Sequence, residues 1–88
     1  MRRIDHVSED VYSEIKKQDK KWGADRNLDY FQWNTILTEE VGEFSQAALH
    51  TKFGGKEAGR MYEEIIQVAA VAMQIANNIL MGNEECCE

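Results

Sequence analysis

Acidic residues stand where a helix would ordinarily place apolar ones. At 3.6 residues per turn, Ile36, Glu40, Glu43 and Ala47 share one stripe, flanked by Leu37, Val41, Phe44 and Ala48, the pattern of a face that packs inward. A second stripe repeats the arrangement with Glu64, Gln67, Val71, Ile75 and Asn78, in a segment whose other residues are almost all apolar. Ionised carboxylates withdrawn from water are costly unless something neutralises them. The chain must therefore fold so that two helices bring these acids either to a bound cation or to solvent.

Support from neighbouring bases is missing. Exposed Glu on a helix gains from Lys or Arg four residues later, yet Glu39 meets Glu43, Glu40 meets Phe44, Glu43 meets Ala47, Glu63 meets Gln67 and Glu64 meets Val68. Carboxylate and amide oxygens without thiolate favour a hard ion, Mg²⁺ or Mn²⁺, over zinc. A diiron bundle would need Glu-x-x-His pairs, and neither His6 nor His50 follows a Glu by three positions. His50 reads as a helix-end residue.

The rest of the chain is helical in character. It has no Pro, and Gly falls mainly at Gly23, Gly42 and the cluster Gly54, Gly55 and Gly59. Ser8 ahead of Glu9 and Asp10 predicts a first helix over 8–20, burying Val11, Tyr12 and Ile15. Leu28 or Asp29 opens a second helix to about residue 51, with Phe31, Trp33, Ile36, Leu37, Val41, Phe44, Ala47, Ala48 and Leu49 inward. A third is expected over 56–81, apolar nearly all round, as in a helix at the centre of a subunit interface. Gly82 stops it, and 83–88 reads as a frayed acidic tail whose Cys86 and Cys87 lack any metal-binding spacing. The expected fold is one all-α domain over 1–88: three main helices, the second and third an antiparallel pair, completed into a bundle by homo-oligomerisation as a dimer or tetramer.

A net charge of −6 argues against a nonspecific grip on nucleic acid polymers or anionic membranes. No stretch reads as long and apolar enough to span a bilayer, and the N-terminus lacks a secretion signal's apolar core, so a cytoplasmic location is expected.

The succession Lys21-Trp22-Gly23, Trp33-x-x-Ile36-Leu37-x-Glu39-Glu40-x-Gly42-Glu43 and Glu64-Ile65-Ile66-Gln67-Val68-Ala69-Ala70-Val71-Ala72 resembles the MazG-like all-α nucleoside triphosphate pyrophosphohydrolases, over about residues 14–80. The resemblance implies Mg²⁺-dependent cleavage of nucleoside triphosphates, noncanonical or deoxy ones among them, to monophosphate and pyrophosphate in a house-cleaning role. Carried over by position, Glu40, Glu43 and Glu64 would be metal ligands, and Glu39 would orient or deprotonate the attacking water. The fourth ligand of the family's EExxE and ExxD pattern, an Asp, is Gln67 here. An amide oxygen coordinates Mg²⁺ without bringing charge. Trp22 and Trp33 are candidate platforms for a base, or else core or interface residues. Lys21, Lys52, Lys56 and Arg60 are candidate phosphate contacts, and Asn77 and Asn78 either touch ligand or hold a helix end. The alternative to an enzyme is a helical regulatory module that binds nucleotide or cation without turnover; a third reading is a purely structural dimerisation domain.

Overall fold

The computed structural model describes residues 2–82. The expected tail at 83–88, with Cys86 and Cys87, lies outside the described residues. Within them are α1 (Ile4–Trp22), α2 (Tyr30–Phe53) and α3 (Met61–Met81), with no strand, so the all-α reading with three main helices holds.

Helix α1 begins at Ile4 rather than Ser8, which lies inside the helix. The stripe Val7, Val11 and Ile15 explains the extension, because Val7 and Ile15 pack against the buried cluster of Val11, Ile66 and Ala70. Tyr12, expected inward, is exposed, since it lies about 100° around the helix from Val11. Gly23, with φ at +99°, ends α1 and donates its N–H to the Asp19 carbonyl.

Helix α2 starts where its sequence signals. The Asp29 carboxylate accepts from the Gln32 N–H at 2.8 Å, and the Gln32 side chain accepts from the Asp29 N–H at 3.0 Å. Of its expected inward residues, Trp33 and Ala47 are buried and Ile36, Leu37, Phe44 and Ala48 half-buried. Phe31, Val41 and Leu49 are exposed, because α2 packs on α3 alone and that single contact covers one narrow side.

Helix α3 begins at Met61, not at residue 56. His50 Nδ1 accepts the Glu57 N–H at 3.1 Å and Thr51 Oγ1 accepts the Gly59 N–H at 3.1 Å, which holds the intervening chain as a turn. Both partners sit at the end of α2, so His50 has the helix-end role expected of it.

Early α2 residues share cavity walls with late α3 residues, while Glu40 and Glu43 meet Glu64 near the start of α3, so α2 and α3 run antiparallel. Helix α1 runs the same way as α3: Tyr62 donates to Asp10 at 2.6 Å and Gln74 to Gln18 at 2.6 Å. Both flanking helices pack on α3 and not on each other. An open groove between α1 and α2 follows from that arrangement, with α3 as its floor.

Helix α3 is long and apolar enough, by length and composition, to cross a bilayer, contrary to the expectation from sequence. Here it is the central helix, with Glu64 and Asn78 buried between it and its neighbours.

Candidate metal centre

The Glu40, Glu43 and Glu64 stripes converge because α2 and α3 are antiparallel and these positions face each other across their seam. One carboxylate oxygen from each lies within 4.8 Å of the others. Glu64 is only 6% exposed, Glu40 is half-buried and Glu43 reaches the cluster from the exposed side. Glu40 Oε1 and Glu64 Oε1 are buried without a hydrogen-bond partner, an expensive state for an ionised oxygen.

Both buried acids resist ionisation. Burial raises the Glu40 pKa above its ordinary value, and the charges of Glu43, Glu64, Glu14 and Glu39 raise it further. Burial also raises that of Glu64, with Glu43 adding to the rise and the Arg60 guanidinium opposing it. Three converging carboxylates, two of them with an unsatisfied buried oxygen, form a donor set that fits a hard divalent cation.

Through Glu40 alone the cluster opens on a cavity of about 730 Å³ that fills the groove between α1 and α2; Glu43 and Glu64 do not line it. Glu39, Glu40, Gln67, Lys21 and Trp22 line it. The Lys21 ammonium lies 4.9 Å from the Trp22 ring centroid, which places a cation and an exposed aromatic face together at the groove's mouth.

Trp33, Lys52 and Lys56 do not line this cavity. Trp33 is 2% exposed and borders a separate cavity of about 220 Å³, its ring covered by the Arg26 guanidinium at 5.1 Å. Lys52 leans over the Phe53 ring at 5.6 Å, and Lys56 is exposed in the turn after α2. Arg60 pairs with acids instead of facing the cavity. Asn78 is buried at 2% exposure and donates to the Arg26 carbonyl at 2.9 Å, while Asn77 donates to Asp25 at 3.1 Å. The two asparagines strap the connection between α1 and α2 onto α3.

Sequence reasoning missed Glu14 and Gln18 from α1 and Arg26 from the connection; Lys17, also on the cavity wall, belongs to the basic run of Lys16, Lys17, Lys20 and Lys21, of which one or two were expected to reach an anionic ligand. Gln18 donates to Glu14 at 3.0 Å, and Arg26 donates to Gln74 at 3.4 Å. A polar pair at i and i+4 beside the apolar Val11 and Ile15 is the signal that could have marked α1 as a groove wall. Arg26 left no signal in the local pattern.

Comparison with protein-family models, with curated proteins and with solved structures finds no match for this chain. The family resemblance is therefore carried by its motifs and their order.

Proposed function

We propose that this protein is a cytoplasmic, homo-oligomeric hydrolase that cleaves nucleoside triphosphates to monophosphate and pyrophosphate with Mg²⁺, for which Mn²⁺ can substitute. The observation that carries the reading is the convergence of Glu40, Glu43 and Glu64 to within 4.8 Å beside a cavity large enough for a nucleotide. On this reading the three acids hold the ion, with the Gln67 amide oxygen within the same cavity wall. A bound divalent ion supplies positive charge against the negative charge that develops on the pyrophosphate leaving group.

The chain's own residues have separable tasks. Glu39, exposed on the same wall as Glu40, accepts the proton of the attacking water. Lys17 and Lys21 pair with phosphate oxygens from the α1 side, and Trp22, 58% exposed, offers its ring to the base. The Arg26 guanidinium, fixed over Trp33, is a further cation in reach of the cavity.

Homo-oligomerisation is supported by the uncovered side of α3. Ile65, Ala72, Ala76 and Ile79 are exposed and fall within about 60° of arc on the helical wheel. No charged residue interrupts that arc, an unusual surface for a lone small domain.

Gln67 favours the second reading, a binding module without turnover, because it lowers the charge of the donor set. Pyrophosphate release from a panel of nucleoside triphosphates, with Mg²⁺ or Mn²⁺, separates the two. The expected result is turnover by the native chain, loss with Glu43→Gln and an increase with Gln67→Asp. Nucleotide binding without any pyrophosphate release would establish the module instead.

A further inference from the structure

Arg60 stands at the junction of the turn and α3, immediately before the first helical residue. Its guanidinium pairs with three acids at once: Glu63 at 2.8 Å, Glu64 at 3.3 Å and Glu57 at 3.6 Å. Glu63 is exposed at the cavity wall and Glu57 is half-buried in the turn, whereas the Glu64 side chain is only 8% exposed and belongs to the converging triplet. Among the described residues, no other ion pair reaches Glu40, Glu43 or Glu64.

Glu64 is thus claimed from two directions. Its Oε2 faces Arg60, while its Oε1 is buried without a partner beside Glu40 and Glu43. A divalent ion among the three carboxylates would lie close to a guanidinium that shares one of them. Two positive centres at that separation repel, and the mobile one gives way. Arg60 can yield at little cost, because withdrawal from Glu64 leaves its shorter contact to Glu63 and its contact to Glu57 in place. Its Nε, buried and unpartnered, shows that the guanidinium is not locked by a full set of hydrogen bonds.

We propose that Arg60 is a built-in place-holder cation: it neutralises Glu64 while the carboxylate triplet holds no ion, and a divalent cation displaces it. The inference rests on reading the triplet as a cation site. The device keeps the cation-free seam between α2 and α3 from flying apart under three like charges. It also sets the threshold, since the arriving ion must outcompete a tethered charge.

The test is calorimetric titration of Mn²⁺ into metal-stripped native protein and an Arg60→Gln variant, with melting temperatures of both in chelator. Removing a unit charge about 6 Å from the ion is expected to tighten Mn²⁺ binding about tenfold, while the chelator-treated variant melts lower than native. Equal or weaker Mn²⁺ binding by the variant overturns the proposal and assigns Arg60 to orienting Glu64. If Arg60→Gln fails to fold, the Arg60 Nε–Hε resonance of the native chain, followed during a Mg²⁺ titration, answers the same question. It is expected to shift with the dissociation constant measured for the ion, and an unmoved signal at saturation overturns the proposal. Should neither folded protein bind Mn²⁺ at all, the cation-site reading itself fails, a result distinct from the other two.

Discussion

Replacing Glu40 with Gln isolates the electrostatic tension in the seam, because the substitution keeps shape and removes only charge. Glu40 lies within 4.8 Å of both Glu43 and Glu64 and, among the described residues, has no ion-pair partner of its own. Two like unit charges at that distance repel by about 0.9 kcal/mol at the dielectric of water and about 3.5 kcal/mol at an effective dielectric of 20. Glu40 opens on a large cavity, so the lower figure governs; Glu43 contributes it in full and Glu64, shared with Arg60, in part, which gives about 1–2 kcal/mol. The cation-free variant should therefore be more stable than native at pH 7 to 8 by about 1–2 kcal/mol, which for a domain of this size raises the melting temperature by roughly 4–15 °C. Adding Mn²⁺ at about a hundred times its dissociation constant stabilises native protein by about 2.7 kcal/mol and the variant far less, so the order reverses. The pH dependence has a definite sign. The folded-state pKa of Glu40 is raised above 4.5, so between the unfolded and folded values the native state binds more protons, and stability falls as pH rises through that window. The penalty is absent below the unfolded pKa and complete above the folded one, and Glu40→Gln should flatten this limb of the curve. Urea denaturation in chelator and in Mn²⁺, at several pH values, measures all three. A variant less stable than native in chelator at pH 7 to 8 would show that the carboxylate is favourably engaged, and the argument would collapse.

Three further outcomes bear on the frame around the site. Asn78→Ala leaves the Arg26 carbonyl without its donor and should cost about 1–3 kcal/mol, with faster amide exchange across residues 23–29. Gly55→Ala would set a methyl group against the His50 ring at a φ of +151°, and urea denaturation should show a loss of about 2 kcal/mol. Ile65→Lys places a charge in the uncovered arc of α3 and should shift the sedimenting species to monomer without changing helical content; an unchanged mass would remove that arc from the interface.

What could be read from the chain alone was whatever a single helix encodes. Asp29, one of two residues expected to open α2, is its cap, and Gly23 and Gly82 mark the ends of α1 and α3, because caps are settled within a turn of backbone. Ser8 misled because a cap-like residue can be overridden by packing, here the contact of Val7 with the core. The start of α3 was illegible for the same reason: His50 and Thr51, on another helix, capture the N–H groups of Glu57 and Gly59. The triplet was legible because two antiparallel stripes need only one register to meet. Arg60 is the base four residues before Glu64, the less favoured order for an ion pair on a helix, and so a weak signal in the sequence. The groove residues Glu14, Gln18 and Arg26 depend on how α1 and its connection cross α3, and no periodicity within one element specifies that.

The packing also says why a cation would matter to the fold and not only to chemistry. The buried apolar cluster joins α1 to α3 through Val11, Ile66 and Ala70, and α2 has no share in it. Helix α2 depends instead on its own contacts with α3, of which the best buried are Trp33 and Ala47, and between these lie Glu40 and Glu43 facing Glu64. Without a divalent ion, the middle of that seam is repulsive except where Arg60 intervenes. With one, the same three side chains become shared ligands that tie the helices together. Cation binding and α2 docking would then be thermodynamically linked, each strengthening the other by the same factor. Amide exchange should resolve this: protection in residues 36–47 of α2 should rise with Mn²⁺ more than protection in α1. A uniform rise across all three helices would mean that α2 never opens independently of the remainder.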